Sequence, residues 1–328
     1  MVFLNFAALS QEIIDGRRLT RKDDLEAFIS ADLQELCQSA DRIREKLCGN
    51  HVDLCTIING KSGKCSENCK FCAQSGHHCT GIEEYPFLDA DTIVADCQRN
   101  ASQGVHRYSI VTAGKSLSGR DFETALSAYR KMNEFCDIEL CASHGLLTKE
   151  QFQRLWDSGV RMYHENIETS RRFFPHICTT HTYEDKIHCI QTAQEIGYRI
   201  CSGGIIGMGE TWEDRLDMAI SLAELKVDSI PINALMPIPG TPFADLPRLT
   251  EEEILRTIAI FRFVNPDADV RLAAGRSLMR ESGKKAFHSG ANATITGDLL
   301  TTSGSNILKD FEMLNELGFD TQKGVAHK

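Results

Sequence analysis

Short β-prone runs alternate with helical segments from about residue 50 to the end of the chain. There are eight such runs: 52–59, 107–113, 137–143, 160–166, 198–206, 229–235, 269–274 and 292–297. Several helical segments between them open with capping-box pairs: Thr148 with Gln151, Thr182 with Asp185, Thr211 with Asp214 and Thr250 with Glu253. Eight strand–helix units within about 250 residues predict an α/β fold of the (β/α)8 TIM-barrel type. An open, doubly wound sheet is the alternative.

The residues before the first run contain helical stretches such as 30–50. We therefore predict an N-terminal helical extension over 1–50, covering the bottom of the barrel, and a catalytic barrel domain over 51–328. Residues 1–20 lack a basic region before their short apolar run, so no export signal is expected. No apolar run suits a membrane span, and a formal net charge of −10 argues against nucleic acid or an anionic membrane as a partner. We expect a cytoplasmic protein.

Polar and cysteine residues stand on or just after the predicted strands. In a TIM barrel, catalytic residues lie at the C-terminal ends of the strands. The residues found at such places here are Cys65, Cys69, Cys72, Ser109, Cys141, Cys201, Asn233 and Arg271. This pattern indicates an enzyme, because a protein that only transfers electrons needs no polar pocket.

The cysteines indicate a metal centre. There are thirteen of them, an odd number, and without an export signal a disulfide framework is not expected. Cys65, Cys69 and Cys72 form a CxxxCxxC triplet, and Cys79 follows it. A structural zinc closed by Cys79 is one interpretation. The favoured one is a four-iron cluster held by three thiolates, with one iron left open.

The triplet "CSENCKFC", with Phe71 just before its last cysteine, resembles the motif of the radical S-adenosylmethionine enzymes. This resemblance implies a 4Fe-4S cluster whose open iron binds the methionine moiety of S-adenosylmethionine. One electron then yields a 5′-deoxyadenosyl radical, which abstracts hydrogen from an unactivated C–H bond.

Longer segments resemble the biotin synthase family: "NGKSGKCSENCKFCAQS" (59–75), "YHENIETS" (163–170), "CSGGIIGMGET" (201–211) and "VRLAAGR" (270–276). The resemblance implies sulfur insertion into dethiobiotin to form biotin, with sulfur from an auxiliary iron–sulfur cluster. It also implies a homodimer and a flavodoxin- or ferredoxin-type reductant. The alternatives are a related radical enzyme, such as a hydrogenase maturase or a methylornithine synthase, and a zinc-stabilised binding protein without catalysis.

The same resemblance assigns roles to residues that match the family's motifs. Glu168 matches the carboxylate that holds the ribose of S-adenosylmethionine. Asn166 and Asn233 match the asparagines that hold the ureido ring of dethiobiotin, and an amide suits that ring because it both donates and accepts. Four residues on and just after the fifth run match those that pack against adenine: Gly203, Ile205, Gly207 and Glu210.

The auxiliary cluster site departs from the family's pattern. Well-known members hold a 2Fe-2S cluster with three cysteines and one arginine. Cys141, Cys201 and Arg271 match three of these ligands, but Ser109 stands where the third cysteine is expected. Because Cys79 is an extra cysteine near the barrel mouth, we predict that Cys79, Cys141 and Cys201 hold the auxiliary cluster. Cys189 and Cys178 are the alternatives for the third ligand, although the apolar helical position of Cys189 favours a buried structural thiol. Three thiolates favour a four-iron cluster with an extra sulfide, with Arg271 beside it.

Overall fold

Parallel strands close into a barrel in the computed structural model of the protein, which describes residues 4–298, 300 and 305–322. The strands in these residues are β1 (Asp53–Lys61), β2 (Arg107–Thr112), β3 (Glu139–Ser143), β4 (Met162–His164), β5 (Arg199–Cys201), β6 (Gly204–Ile206), β7 (Ser229–Ala234), β8 (Asp269–Leu272) and β9 (Ala293–Ile295). Their order is β5-β4-β3-β2-β1-β9-β8-β7-β6, and pairing of β5 with β7 closes the ring. Because β6 continues β5 after a short break, these segments make the predicted eight-stranded barrel. The TIM-barrel prediction is confirmed, and the open sheet is excluded.

The break between β5 and β6 follows from the close approach of two backbones. A Cβ atom at Gly203 would lie 2.0 Å from the carbonyl oxygen of Pro231, and one at Gly204 would lie 2.4 Å from that of Glu168. Only glycine fits there. The backbone of Glu168 is bonded into the gap: its N–H donates to Gly203 (3.1 Å) and its carbonyl accepts from Ile205 (2.9 Å).

The helices surround or precede the barrel. In the described residues they are α1 (Phe6–Ile14), α2 (Glu26–Ser30), α3 (Leu33–Leu47), α4 (Ala90–Ser102), α5 (Gly119–Phe135), α6 (Lys149–Asp157), α7 (Phe174–Ile177), α8 (Tyr183–Ile196), α9 (Trp212–Glu224), α10 (Glu251–Val264) and α11 (Ile307–Glu316). Two 3₁₀ segments, Arg276–Leu278 and Arg280–His288, precede β9. All four predicted capping boxes form, at the starts of α6, α8, α9 and α10. Of the helices described, none is both long and apolar enough to cross a membrane.

The N-terminal helices pack on the outside of the barrel through α10. Rings of Phe6, Phe28 and Phe263 meet edge to face, with centroids 5.0 to 5.9 Å apart. These residues belong to the same continuous core as the barrel. The predicted boundary at residue 50 stays a prediction, and the two predicted units include residues 1–3, 299, 301–304 and 323–328, which lie outside the described ones.

Charged side chains cross the bottom of the barrel, where the strands begin. Asp53 accepts from Arg107 at 2.8 Å and from Arg271 at 3.1 Å. Arg107 also pairs with Glu139 at 2.8 Å, and Arg199 contacts the other oxygen of Glu139. Burial alone would raise the pKa of Asp53, but the two guanidinium groups outweigh it and lower that pKa. We call these five residues the charged floor.

Candidate active site

Two adjoining cavities lie inside the barrel above the charged floor. The outer cavity, of about 270 Å³, is bordered among others by Cys65, Cys69, Cys72, Glu168 and Lys186. The inner cavity, of about 260 Å³, is bordered among others by Cys55, Arg107, Ser109, Cys141, Cys201 and Arg271. Both are bordered by Phe71, His164, Asn166, Ile205 and Asn233. A molecule between the cavities would face the cysteine triplet on one side and buried thiols on the other.

The thiols of the triplet border the outer cavity but are too widely spread for one tetrahedral ion. In the described part of the chain, the only trio of cysteine, histidine or acidic side chains with all ligand atoms within 4.8 Å of one another is Cys69, Cys178 and His181. A tetrahedral zinc site with Zn–S bonds of about 2.3 Å has sulfur atoms only about 3.8 Å apart. Burial also raises the pKa of the Cys72 thiol to about 11, so its thiolate forms at neutral pH only when a cation binds it. The donor set fits a four-iron cluster better than zinc.

A second cysteine-containing segment packs on the triplet loop. The Sγ atom of Cys178 lies 3.7 Å from that of Cys69 and 3.4 Å from Nδ1 of His181. That Nδ1 is also 2.6 Å from a carboxylate oxygen of Glu67. The hydrogen bond between the thiols lowers the pKa of Cys178 and raises that of Cys69. One triplet sulfur thus has a thiol neighbour from outside the motif.

Asn166 is held in one orientation by its neighbours. Its Oδ1 accepts from the N–H of Gly203 (3.0 Å) and lies 3.1 Å from Nε2 of His164. Burial lowers the pKa of His164, so its imidazole is neutral. Nδ1 of His164 then accepts from Ser143 (3.0 Å), while Nε2 donates to Asn166. Since Nδ2 of Asn166 is 3.4 Å from Glu168, one N–H is left as a donor toward the cavity.

Asn233 keeps both kinds of hydrogen-bonding capacity. Its Nδ2 donates to the carbonyl of Gly204 at 3.1 Å, and its Oδ1 accepts from the N–H of Ala274 at 3.2 Å. One N–H and one lone pair are left over. Asn233 can therefore both donate to and accept from a ligand.

Glu168 and Lys186 place opposite charges in the outer cavity. Glu168 has a left-handed backbone, with φ of +69°, fixed by its bonds in the gap between β5 and β6. Burial raises the pKa of Glu168 to about 7 although Lys186 opposes the shift. Burial would lower the pKa of Lys186, but Glu165, its ion-pair partner, and Glu168 outweigh it and raise that pKa. Lys186 was not among the predicted site residues, since a lysine in the first turns of a helix is ordinarily exposed.

The four residues matched to adenine packing have different surroundings. Ile205 borders both cavities, whereas Gly203 lies in the strand break. Gly207 has φ of +92°, in the left-handed region that favours glycine. The carboxylate of Glu210 accepts from the N–H of Gly207 at 2.7 Å and pairs with Arg215 at 2.8 Å. Glu210 therefore braces the loop after β6.

The inner cavity gathers three buried thiols. Cys55, Cys141 and Cys201 are 6%, 2% and 7% exposed. Burial raises the pKa of Cys55 to about 11 and raises the pKa of Cys141 and Cys201 as well. The structure thus brings the two predicted ligands Cys141 and Cys201 together. Cys55 was not among the predicted site residues, although Cys55 and Ile57 share one face of β1 and both border this cavity.

Cys79 does not lie with these thiols. It is exposed and borders neither described cavity. Its carbonyl oxygen packs against Gly240, where a Cβ atom would lie only 2.0 Å away. The predicted trio of Cys79, Cys141 and Cys201 is therefore not assembled here, because spacing along a loop does not fix the direction in which a side chain points.

Arg271 is tied into the charged floor. Its Nε lies 3.2 Å from the hydroxyl of Ser229, its Nη1 3.0 Å from the carbonyl of Thr294, and its Nη2 3.1 Å from Asp53. Burial would lower the pKa of Arg271, but Asp53 outweighs it and raises that pKa. Arg271 is thus a guanidinium cation beside the inner cavity, with its donors engaged by the floor and by neighbouring strands.

Two polar atoms beside the inner cavity lack partners. Among the residues that the structure describes, Nη1 of Arg107 and Oγ of Ser109 find no hydrogen-bond partner, and both atoms are buried. An unpaired buried donor on a cation is costly. Together with the three thiols, these atoms fit an anionic, sulfur-rich group such as an iron–sulfur cluster.

Comparison with known proteins agrees with this geometry. Residues 61–222 match the radical SAM superfamily, and residues 231–320 match the biotin and thiamin synthesis associated domain. The biotin synthase of Alkaliphilus metalliredigens is 68% identical over 316 residues, covering 96% of this chain and 99% of the relative. That of Clostridium beijerinckii is 62% identical over 311 residues, covering 95% and 98%. The solved structure of methylornithine synthase has the same fold, with a TM-score of 0.81 at 18% identity, covering 95% of this chain and 96% of that one.

The matches decide between the alternatives left open by the sequence. The radical SAM match contains the cysteine triplet, and the second match contains Asn233 and Arg271. The likeness to methylornithine synthase concerns the fold alone, whereas the identity to biotin synthases extends over nearly the whole length of both chains. The chain belongs to the biotin synthase family of the radical SAM enzymes.

Proposed function

We propose that this enzyme inserts a sulfur atom between two saturated carbons of dethiobiotin and so forms biotin. The observation that carries the proposal is the contact between the two cavities. The cysteine triplet and the buried thiols border adjoining spaces, and Asn166 and Asn233 border both. A substrate between them would meet the radical source on one side and a sulfur source on the other.

The outer cavity would hold S-adenosylmethionine against a 4Fe-4S cluster on Cys65, Cys69 and Cys72. With that cluster bound, reductive cleavage of S-adenosylmethionine supplies a 5′-deoxyadenosyl radical that abstracts hydrogen from dethiobiotin. Glu168 accepts from the ribose hydroxyls, as acidic residues do in dinucleotide sites.

Adenine would pack against Phe71 and Ile205, two of the apolar side chains that border both cavities. Gly203, Gly207 and Glu210 serve by shaping the strand and the loop beneath it. Lys186 adds a cation suited to a carboxylate of the cofactor.

Asn166 and Asn233 would orient the ureido ring of dethiobiotin. Asn166 has one N–H left and donates to the ring carbonyl, because its oxygen is already bonded to Gly203 and His164. Asn233 has a free lone pair and accepts from a ring N–H. The two amides thus fix which carbons of the substrate face the radical.

The inner cavity would hold the auxiliary cluster, with Cys141 and Cys201 among its ligands. We infer a four-iron cluster that carries an extra sulfide as the sulfur donor, rather than a 2Fe-2S cluster, because Ser109 replaces one thiolate and Arg271 is committed to the floor. Arg107 and Arg271 would stabilise its negative charge.

The cysteines also bear on the compartment in which the enzyme works. All thirteen cysteines are free thiols, which suits a reducing cytoplasm. We propose a flavodoxin- or ferredoxin-type reductant and a homodimer.

The test is an anaerobic reaction of reconstituted protein with S-adenosylmethionine, a strong reductant and dethiobiotin, analysed by mass spectrometry. We expect biotin and 5′-deoxyadenosine, and neither from Cys72→Ala. Formation of 5′-deoxyadenosine without biotin would mean that the radical chemistry is right and the substrate is wrong.

A further inference from the structure

We propose that Cys55 is the third thiolate ligand of the auxiliary cluster, together with Cys141 and Cys201. The proposal rests on the proposed function in one respect only, that the inner cavity holds an iron–sulfur cluster. It assigns Cys55 the place that the sequence pattern gives to Ser109 or to Cys79.

The direction of the Cys55 side chain is the first support. Cys55 lies on β1 and points into the barrel, where it borders the inner cavity with Cys141 of β3 and Cys201 of β5. In the register of the sheet, Cys55 is opposite Arg107 of β2, whose Nη1 is the buried donor without a partner. A thiolate-bound cluster at Cys55 would present sulfur acceptors beside that donor.

The spacing of the Cys55, Cys141 and Cys201 thiols is the second support. The three thiols all border the inner cavity, and Cys141 and Cys201 belong to one small buried cluster with Met162. Yet they are not among the side chains whose ligand atoms all lie within 4.8 Å of one another. They are thus close neighbours that are too far apart for one tetrahedral ion, where sulfur atoms lie about 3.8 Å apart. Such a spread suits a cluster in which bridging sulfides separate the irons.

The rival ligands are less suitable. Ser109 offers a hydroxyl, which is seldom ionised near neutral pH, and soft iron sites prefer thiolate. Cys79 is exposed at the rim, and Cys189 points to the carbonyl of Gly145, 3.7 Å away. Cys55 alone among these supplies a buried thiol on the wall of the inner cavity.

The experiment compares Cys55→Ala with Cys79→Ala and with Cys189→Ala as a matched control for loss of a buried thiol. Each full-length variant is reconstituted anaerobically with iron and sulfide. Iron and acid-labile sulfide are measured, and Mössbauer spectra are recorded. Formation of 5′-deoxyadenosine reports separately on the first cluster.

We expect Cys55→Ala to lose the iron and the Mössbauer signal of one cluster while it still forms 5′-deoxyadenosine. Cys79→Ala and Cys189→Ala should keep both clusters. Circular dichroism distinguishes cluster loss from misfolding, and Cys55→Ser, which keeps the shape of the side chain, should lose the same cluster if the thiolate is what matters.

Retention of both clusters in Cys55→Ala, or loss of the auxiliary cluster in Cys79→Ala instead, would overturn the proposal. Wild-type protein with iron for only one cluster would overturn it too. Failure of the proposed function looks different: both clusters are present and the auxiliary one depends on Cys55, but dethiobiotin is not converted.

Discussion

The sulfur atoms of Cys69 and Cys178 lie 3.7 Å apart, although the two residues are separated by 109 positions in the chain. A disulfide needs an S–S distance of about 2.05 Å, so a movement of about 1.7 Å would join them. When Cys69 binds iron, its sulfur is protected from this reaction. The relationship therefore links the oxidation state of one thiol pair to assembly of the first cluster.

We predict that cluster-free protein treated with diamide forms a Cys69–Cys178 disulfide. Peptide mapping by mass spectrometry should find the linked peptides, with loss of two hydrogens, and reconstitution should fail until a thiol reductant is added. Cys178→Ala should accept iron without that treatment, whereas Cys189→Ala should behave as wild type. Unlinked Cys69 and Cys178 after complete oxidation would contradict the prediction.

We predict that cofactor binding depends on pH because of the raised pKa of Glu168. Its pKa is raised to about 7 by burial, and only its ionised form accepts from both ribose hydroxyls. Affinity for S-adenosylhomocysteine, an unreactive probe, should therefore rise with pH and level off above 7. A group with this pKa is about nine-tenths protonated at pH 6, so affinity there should be about tenfold weaker than at pH 8. Calorimetry on the cluster-loaded protein measures this, and Glu168→Gln should show a flat profile at the lower affinity.

We predict that His164 affects substrate binding by holding the amide of Asn166 in place. His164→Ala removes the donor, 3.1 Å from Oδ1 of Asn166, that holds the amide in place. We expect the Kd for dethiobiotin to rise about fivefold, which corresponds to one hydrogen bond of about 1 kcal/mol. The rate of 5′-deoxyadenosine formation at saturating substrate should change much less. His164→Gln, which keeps an N–H donor, should recover most of the affinity, and equal losses in both variants would count against this role.

We predict that substitution of Gly203 strongly destabilises the protein. In Gly203→Ala the new Cβ atom would lie 2.0 Å from the carbonyl oxygen of Pro231. Because backbone must move, we expect the free energy of unfolding to fall by about 3 kcal/mol or more. Gly81 has open space around it and φ of +68°, so Gly81→Ala should cost only about 1 kcal/mol. Urea unfolding followed by circular dichroism measures both, and similar losses would show that the gap between β5 and β6 relaxes.

The fold was largely predictable because its signals are local. The β-prone runs and the four capping boxes depend on residues that are close together in the sequence. Each predicted run contains a strand. The break within the run 198–206 was not predictable. It depends on the carbonyl groups of Pro231 and Glu168, which reach Gly203 and Gly204 from distant parts of the chain.

The site was predictable where a motif fixes the position of side chains, and not elsewhere. Cys141 and Cys201 lie together in the inner cavity as expected. Cys55 was overlooked because a strand alternates its side chains between two faces, and the sequence does not say which face is inside. Cys79 was favoured because it follows the triplet closely, but spacing along a loop does not fix the direction of a side chain. Lys186 and Cys178 enter the site region through folding of α8 and the loop before it.

The charged floor closes the barrel at one end. Asp53, Arg107, Glu139, Arg199 and Arg271 span the end opposite the triplet loop. Any small molecule that reaches the inner cavity must then enter and leave at the other end, past the triplet loop. If the inner cavity holds the sulfur source, as proposed above, that source can be renewed only after the product has left.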